Sequence, residues 1–237
     1  PSEAYHFRQL FRDHGLVLSR GQRLTMERQR ELCALLGPIL DRAGETGVMS
    51  NEGGGPSASA LAWHSDAAYT EQPFDALSLH ALDVVDDASA TRFVSAQHAW
   101  ASLPEDLRDA VAGLEQEMIA PAYDRIGGRT CDDPDPQAQK RGVRPTVVVN
   151  PHNGQRVLWV GEMQTARLVG VDRDAGRALL HRLFDHMYCE DMVLEHRWRT
   201  GDIVIWDNIA LQHARACLDH AGRRVLQRVI VGTAGIA

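Results

Sequence analysis

The last third of the sequence consists of strand-forming segments with no predicted helix between them. Residues 192–198, 202–206 and 224–232 are rich in β-branched and aromatic residues, and a Thr-Gly turn separates the first two. Earlier strands are predicted at 15–19 and 76–85. Because strands and helices do not alternate regularly, the sheets should be mainly antiparallel. The sequence therefore predicts a mainly β sandwich with flanking helices packed outside it.

Three helices are expected to flank the sandwich. Thr25 is a candidate N-cap for a helix over 27–36, and Asp172 precedes a strongly amphipathic helix. A third helix is predicted after residue 102, because Ser102 and Glu105 have capping-box spacing. Its apolar face is formed by four residues at helical spacing: Leu107, Val111, Leu114 and Met118.

The polar segment from about 123 to 144 is rich in Asp, Gly and Pro and is too long for a simple connection. We predict that it is a lid-like insertion. Asn-Gly at 153–154, between the apolar runs 146–150 and 156–160, predicts a β-hairpin immediately after it. With no internal repeat or low-complexity tract, residues 1–237 are predicted to form a single domain.

Composition excludes several classes of protein. The formal net charge is −7 and the pI is near 5.9, with no long run of Lys or Arg, which argues against a nucleic-acid partner. No apolar run approaches the roughly 18 residues of a membrane span. The four cysteines are scattered without a C-x-x-C pair, which argues against a disulfide framework and fits a cytoplasmic location.

One pattern suggests a metal site. Of the eleven histidines, only His64 has a carboxylate two residues away, at Asp66. On a strand, positions i and i+2 face the same side, so both side chains could approach one ion, with a third imidazole from elsewhere. Two histidines and one carboxylate are typical of Fe(II) oxygenases, which keep three coordination positions open. Zinc hydrolases use similar ligands, so the ligand set alone leaves both classes open.

Four motifs carry a resemblance to a known family. They are a W-H-x-D segment at 63–66, a W-D-N segment at 206–208, a Gln-His pair at 212–213, and an arginine eleven residues later at 224. With these motifs, and over residues from about 11 to 232, the chain resembles the TauD/TfdA-like (taurine catabolism dioxygenase) family of Fe(II)/2-oxoglutarate-dependent dioxygenases.

The resemblance implies a double-stranded β-helix core, also called a jelly roll or cupin-like fold. It implies that His64, Asp66 and His213 hold Fe(II), and that Arg224 binds the distal carboxylate of 2-oxoglutarate. A guanidinium fork suits that carboxylate because it can make two charge-assisted hydrogen bonds. Thr91 matches a family threonine that helps to hold the co-substrate, although both glycines of the family's G-G-x-T turn are replaced here.

Other positions concern the substrate. Arg228 matches a second family arginine and shares a strand face with Arg224, so it either meets an anionic group of the substrate or braces the co-substrate. Met163 and Gln164 replace bulkier or amide residues of relatives, which makes them candidate substrate-binding residues. The region 41–62 offers no counterpart to the His and Tyr of taurine-using members, which argues against taurine.

The function that the resemblance implies is an oxidoreductase that uses Fe(II), 2-oxoglutarate and O2. It would oxidise an unactivated C–H bond of a small acidic metabolite or biosynthetic intermediate, most simply by hydroxylation, and release succinate and CO2. Asp66 favours hydroxylation over halogenation, because halogenating relatives lack that carboxylate; desaturation, cyclisation and epimerisation stay open. Two alternatives are a non-catalytic metal and 2-oxoglutarate sensor of the same fold and a zinc hydrolase. The expected partner is a small molecule, neither nucleic acid nor membrane, and homo-oligomerisation is left open.

Overall fold

The computed structural model describes residues 2–40, 47–52, 58–122 and 124–233. The helices are α1 (Ser2–His14), α2 (Met26–Cys33), α3 (Ala96–Ser102), α4 (Glu105–Val111) and α5 (Arg173–Met187). The strands are β1 (Leu16–Ser19), β2 (Gly47–Ser50), β3 (Leu61–His64), β4 (Ala76–Val84), β5 (Ala90–Ser95), β6 (Glu115–Ile119), β7 (Arg141–Pro145), β8 (Val147–Val149), β9 (Arg156–Leu158), β10 (Thr165–Leu168), β11 (Leu194–Arg197), β12 (Ile203–Asp207), β13 (Leu211–Arg215) and β14 (Arg224–Val231).

Two antiparallel sheets form the body of the molecule. The larger has the strand order β1-β12-β4-β14-β2, and the smaller has the order β11-β5-β13-β3. Buried side chains from both sheets pack together between them, including Leu79 of β4, Phe93 of β5 and Leu226 of β14. The prediction of a mainly β sandwich is therefore confirmed.

Helices α1 and α2 cover the outer face of the larger sheet. Phe11 of α1 and Cys33 of α2 pack with Ile205 and Val229, which point outward from β12 and β14. Thr25 caps α2 as predicted, because its side chain accepts a hydrogen bond from the amide of Arg28. This cover leaves β12 and β14 buried on both faces for most of their length.

The predicted third helix is wrong in extent. Helix α4 ends at Val111, and Gly113, with φ of 79°, turns the chain into strand β6. The capping box does not form, because the Ser102 hydroxyl donates back to the carbonyl of His98. Val111 and Met118 are both buried in one cluster. Their helical spacing therefore reflects burial in the same core and not membership of one helix.

A smaller sheet of order β10-β6-β7 and the hairpin β8-β9 complete the fold. The hairpin confirms the prediction, although its loop, residues 150–155, is longer than a two-residue Asn-Gly turn. The lid-like segment begins at position 123, outside the described residues, and its last residues form β7. Much of the 41–62 region also lies outside them. No helix in the described ranges is long and apolar enough to cross a bilayer.

Candidate metal centre and co-substrate pocket

Three predicted ligands converge at one end of the sandwich. His64 ends strand β3, and its register partner on β13 is His213. Their ring centroids are 4.1 Å apart. Asp66 Oδ1 lies 3.2 Å from His64 Nε2 and 3.9 Å from His213 Nε2. Ligand atoms about 2.1 Å from one ion lie roughly 3 Å from their neighbours, so small side-chain movements would complete a three-ligand site.

Asp66 reaches the site by a route that the sequence did not predict. Strand β3 stops at His64, so Asp66 lies in the following turn and not two positions along a strand. Ala67 takes a positive φ of 58° in this turn. The buried Asn208 side chain fixes the turn, because it accepts from the Asp66 amide at 2.8 Å and donates to the Asp66 carbonyl at 2.9 Å. It also donates to the carbonyl of Phe74 at 2.9 Å.

The hydrogen bonds of His64 orient a lone pair toward the carboxylate. His64 Nδ1 lies 2.8 Å from the carbonyl oxygen of Ala62, which can only accept, so Nδ1 carries the proton. In the neutral imidazole, Nε2 is then an acceptor, and it faces Asp66 Oδ1 at 3.2 Å. Two acceptors at this distance repel unless a cation or a proton lies between them. A proton-bearing Nδ1 bonded to a carbonyl is the usual arrangement of a metal-binding histidine.

The electrostatics keep two of these ligands in their metal-binding protonation states. Burial alone would raise the pKa of Asp66, but a proton shared with His64 Nε2, the positive charges that His213 and His64 carry when protonated, and the charge of Arg228 hold that pKa well below its usual range. Burial, followed by the charge of His64, lowers the pKa of His213 to about 3. At neutral pH Asp66 is therefore ionised and His213 is neutral, as cation binding requires.

Arg224 is a buried cation without an anion among the described residues. It lies on the inner face of β14 with Leu226, and its side chain packs over the Trp198 ring, with 5.9 Å from Cζ to the ring centroid. Only 4% of Arg224 is exposed, and its Nε has no hydrogen-bond partner. No carboxylate of the described ranges lies within salt-bridge distance. Burial, and secondarily the charge of Arg215, lowers its pKa to about 9.

Thr91 contacts Trp198, the residue on whose ring Arg224 packs. It belongs to strand β5 and not to the turn that the resemblance suggested. Its Oγ1 accepts a hydrogen bond of 3.0 Å from the Trp198 indole N–H and is buried. The hydroxyl proton remains able to donate to a carboxylate held by Arg224.

Arg228 lies on the same strand, β14, closer to the proposed ligands. Its positive charge acts on both Asp66 and His213. It is less buried than Arg224. Both arginines therefore lie on one strand at positions of the same parity, while what Arg228 binds stays a prediction.

Met163 and Gln164 lie in the loop before β10. The Met163 amide donates to the carbonyl of Trp63 at 3.1 Å, which places the loop beside the residue that precedes His64. Both side chains are buried, and Gln164 Oε1 lacks a hydrogen-bond partner. Their role in binding a substrate stays a prediction.

Tyr188, which the sequence analysis did not select, supports the residues next to both histidines. Its ring stacks on Trp63 with centroids 5.0 Å apart and an interplanar angle of 5°. Its hydroxyl donates to Gln212 Oε1 at 2.7 Å, and Gln212 Nε2 donates to the Val160 carbonyl at 2.6 Å. Only the Gln-His motif hinted at this network, since Tyr188 is distant from it in sequence.

Comparison with known proteins agrees with this geometry. The model of the family described as "Taurine catabolism dioxygenase TauD, TfdA family" matches residues 2–230. The chain belongs to this family. Solved structures of a taurine dioxygenase from Burkholderia xenovorans (24% identity, TM-score 0.80, 99% of this chain and 82% of that one) and of AAD-2 in complex with Mn(II) and N-oxalylglycine (22% identity, TM-score 0.80, 99% and 89%) share the fold. The predicted jelly-roll core of the TauD/TfdA family is thus confirmed.

Curated relatives are more similar in sequence but longer. An alpha-ketoglutarate-dependent 2,4-dichlorophenoxyacetate dioxygenase of Cupriavidus pinatubonensis is 30% identical over 171 residues, covering 70% of this chain and 58% of the relative. A pentalenolactone F synthase of Streptomyces arenae is 28% identical over 185 residues, covering 73% and 62%. The chain therefore spans about three fifths of the length of these TauD/TfdA relatives.

Proposed function

We propose that this chain is an Fe(II)- and 2-oxoglutarate-dependent dioxygenase that oxidises a C–H bond of a small acidic metabolite. The observation that carries the proposal is the convergence of His64 Nε2, His213 Nε2 and Asp66 Oδ1, in a fold that also buries Arg224 with no carboxylate of the described residues within salt-bridge distance. The first feature calls for a cation and the second for a carboxylate. A divalent ion and a dicarboxylate co-substrate meet both requirements.

Three side chains would form the iron site. His64, Asp66 and His213 would hold the iron, and the carbonyl of Ala62 keeps the first imidazole in the binding tautomer. Three ligands leave positions for 2-oxoglutarate and O2. When bound, the iron and 2-oxoglutarate would supply the oxidising chemistry. One oxygen atom of O2 would enter the substrate C–H bond as a hydroxyl, and the other would enter succinate as 2-oxoglutarate loses CO2.

Arg224 and Thr91 would hold the far carboxylate of 2-oxoglutarate. A guanidinium that has already lost its water gives strong charge-assisted bonds, so the dicarboxylate is oriented at a fixed distance from the iron ligands. The Thr91 hydroxyl has its acceptor role filled by Trp198 and is left to act as a donor. These contacts position the co-substrate without moving a proton.

We also propose that the substrate carries an anionic group that binds near Arg228. The positive charge of this arginine already acts on Asp66 and His213, so a substrate anion attracted to it would lie close to the metal. Relatives named for 2,4-dichlorophenoxyacetate and (S)-phenoxypropionate act on carboxylates by their names. A small carboxylate fits the same electrostatics here, with Met163 and Gln164 as candidate pocket residues.

The wider organisation follows the same proposal. We expect a single domain acting in the cytoplasm on a small molecule, with neither nucleic acid nor membrane as partner, and with the 123–144 segment as a lid.

The start of the lid segment is tied to β3, because the Ala62 amide donates to the carbonyl of Ile126. Slower proteolysis of residues 133–140 when Mn2+ and 2-oxoglutarate are present would support the lid. An unchanged cleavage rate would contradict it.

Succinate formation tests the activity. The protein is incubated with Fe(II), 2-oxoglutarate, O2 and a panel of small carboxylic acids, and succinate and oxidised product are measured together. Iron-dependent succinate that rises with one of the acids is the expected result. Tight binding of 2-oxoglutarate without any succinate would indicate a sensor, and zinc-dependent hydrolysis without succinate would indicate a hydrolase; either outcome refutes the proposal.

A further inference from the structure

A second group of metal-binding side chains lies on the segment between β6 and β7 and on helix α5. The ligand atoms of Cys131, Asp132 and His181 all lie within 4.8 Å of one another. His181 Nε2 is 2.7 Å from Asp132 Oδ1. Cys131 is buried, with 5% exposed, whereas the other two side chains are partly open to solvent. None of the three belongs to the centre described above.

The geometry suits a tetrahedral ion. Ligands about 2.1–2.3 Å from zinc lie roughly 3.5 Å apart, so the present spacing needs movements of about 1 Å. His181 lies in a regular helix, next to the fully buried Leu180, which fixes its backbone. The Asp132 amide donates to the carbonyl of Arg129, and this turn holds the Cys-Asp pair against the helix. Three protein ligands and one open position result.

The donor set selects the class of ion. A thiolate and an imidazole prefer zinc over Mg2+, Ca2+ or Mn2+, which favour oxygen ligands. A reactive thiol is a weaker explanation, because Cys131 is buried and is followed by the carboxylate of Asp132, surroundings that disfavour a free thiolate. A thiol that stays protonated is a poor nucleophile, whereas a bound divalent cation supplies the charge that deprotonates it.

An entry path for the ion exists. Cys131 lines a cavity of about 520 Å3 between strand β10 and the start of α5. Its other walls include Pro134, Leu168 and Gly176. Cys131 can therefore be reached through this cavity, and the side chains of Asp132 and His181 are partly open to solvent.

We propose that Cys131, Asp132 and His181 form a second divalent-cation site with a preference for zinc. The ion clamps the β6-β7 connection to helix α5. The neighbouring Thr130 donates through its amide to the carbonyl of Glu162 at 2.7 Å and through its hydroxyl to the carbonyl of Met163 at 2.5 Å. The Met163 amide in turn bonds the carbonyl of Trp63. The clamp thus secures the loop that supports the strand ending in His64.

Cobalt(II) is the probe, because a thiolate ligand gives it an intense near-ultraviolet charge-transfer band that a His/His/Asp site cannot give. The tag-free, reduced, metal-free chain is titrated with Co2+ and then with Zn2+. We expect a thiolate band that saturates by two equivalents per chain, when the proposed iron centre is also filled, and that is removed by zinc. Cys131→Ser should lose the band, and His181→Ala should weaken Co2+ binding strongly.

Two variants serve as controls. Asp66→Ala should keep the band, which separates this site from the proposed iron centre, and Cys189→Ser should keep it because Cys189 is an exposed cysteine outside the cluster. Circular dichroism checks the fold of each variant. His181 is partly exposed, so its replacement tests the site even if Cys131→Ser unfolds. No thiolate band, a band that persists in Cys131→Ser, or one that His181→Ala leaves unchanged would overturn the proposal.

Discussion

Replacing Arg224 with methionine should change co-substrate binding and stability in opposite directions. Methionine keeps an unbranched side chain of similar reach over the Trp198 ring but removes the charge. Losing a charge-assisted carboxylate pair costs on the order of 2–5 kcal/mol. This corresponds to a Kd for 2-oxoglutarate raised by roughly 30-fold to several thousand-fold.

The same substitution should stabilise the protein without its co-substrate. The pKa of Arg224 is lowered from 12.5 to about 9, so the unfolded chain holds the proton more tightly than the folded chain. Folding with this charge is therefore penalised at every pH below about 9, and the penalty disappears as the pH rises from 9 toward 12.5. Replacing buried charges by apolar side chains has stabilised other proteins by about 1–4 kcal/mol. We expect a gain in that range for Arg224→Met at pH 7.

Denaturant unfolding with and without 2-oxoglutarate measures both effects. Mn2+ replaces iron, because the solved structure of AAD-2 holds Mn(II) together with N-oxalylglycine and Mn2+ does not start oxidation. 2-Oxoglutarate should raise the free energy of unfolding of the wild type. Arg224→Met should have a higher free energy of unfolding without 2-oxoglutarate, and the ligand should raise it little further. Arg182→Met is the matched control, since Arg182 forms an exposed ion pair with Asp106 and should alter neither quantity. An unchanged Kd for 2-oxoglutarate, or a variant less stable than the wild type, would refute this reasoning.

Three further variants test the supporting residues. Asp66→Ala should abolish iron-dependent succinate formation while circular dichroism stays native; retained turnover would exclude Asp66 as a ligand. Asn208→Ala should lower the free energy of unfolding by about 2–4 kcal/mol, because three backbone groups, in one buried and two partly buried hydrogen bonds, lose their partner, and it should weaken Mn2+ binding measured by calorimetry. Tyr188→Phe keeps the stack on Trp63 but leaves Gln212 Oε1 without its donor, so we expect a loss of about 1–3 kcal/mol in unfolding and an unchanged Mn2+ affinity. A larger effect on Mn2+ than on unfolding would assign Tyr188 a more direct role.

The sequence predicted the strands and the ligand candidates because strands leave local apolar patterns and the ligands lie in short motifs. Alternating or apolar runs identified β12 and β14, and the resemblance to the TauD/TfdA family assigned His64, His213 and Arg224 to one site before any contact was visible. The strand pairing explains the success, since β13 sets His213 directly opposite His64. Residues that lie on regular strands keep the directions that their spacing implies.

Local patterns failed where a distant side chain decides the conformation. Asp66 is held by Asn208 across 142 positions, and no spacing rule connects an amide to a turn at that distance. Leu114 and Met118 matched a helical period, but the positive φ of Gly113 ends that helix, and burial of Met118 in the shared cluster holds it in a strand. Tertiary contacts decide the conformation of both segments, so neither composition nor hydrophobic period could predict it.

The charges at the centre explain why an anionic substrate is the consistent choice. Asp66 contributes one negative charge, and the ion it would hold and Arg224 together contribute three positive ones. The two carboxylates of 2-oxoglutarate balance that excess. The positive charge of Arg228 also acts on Asp66 and His213. In a poorly hydrated site such a field favours an anion over a neutral molecule. The affinity of a carboxylate substrate relative to that of its neutral analogue is therefore the most sensitive measure of what Arg228 does.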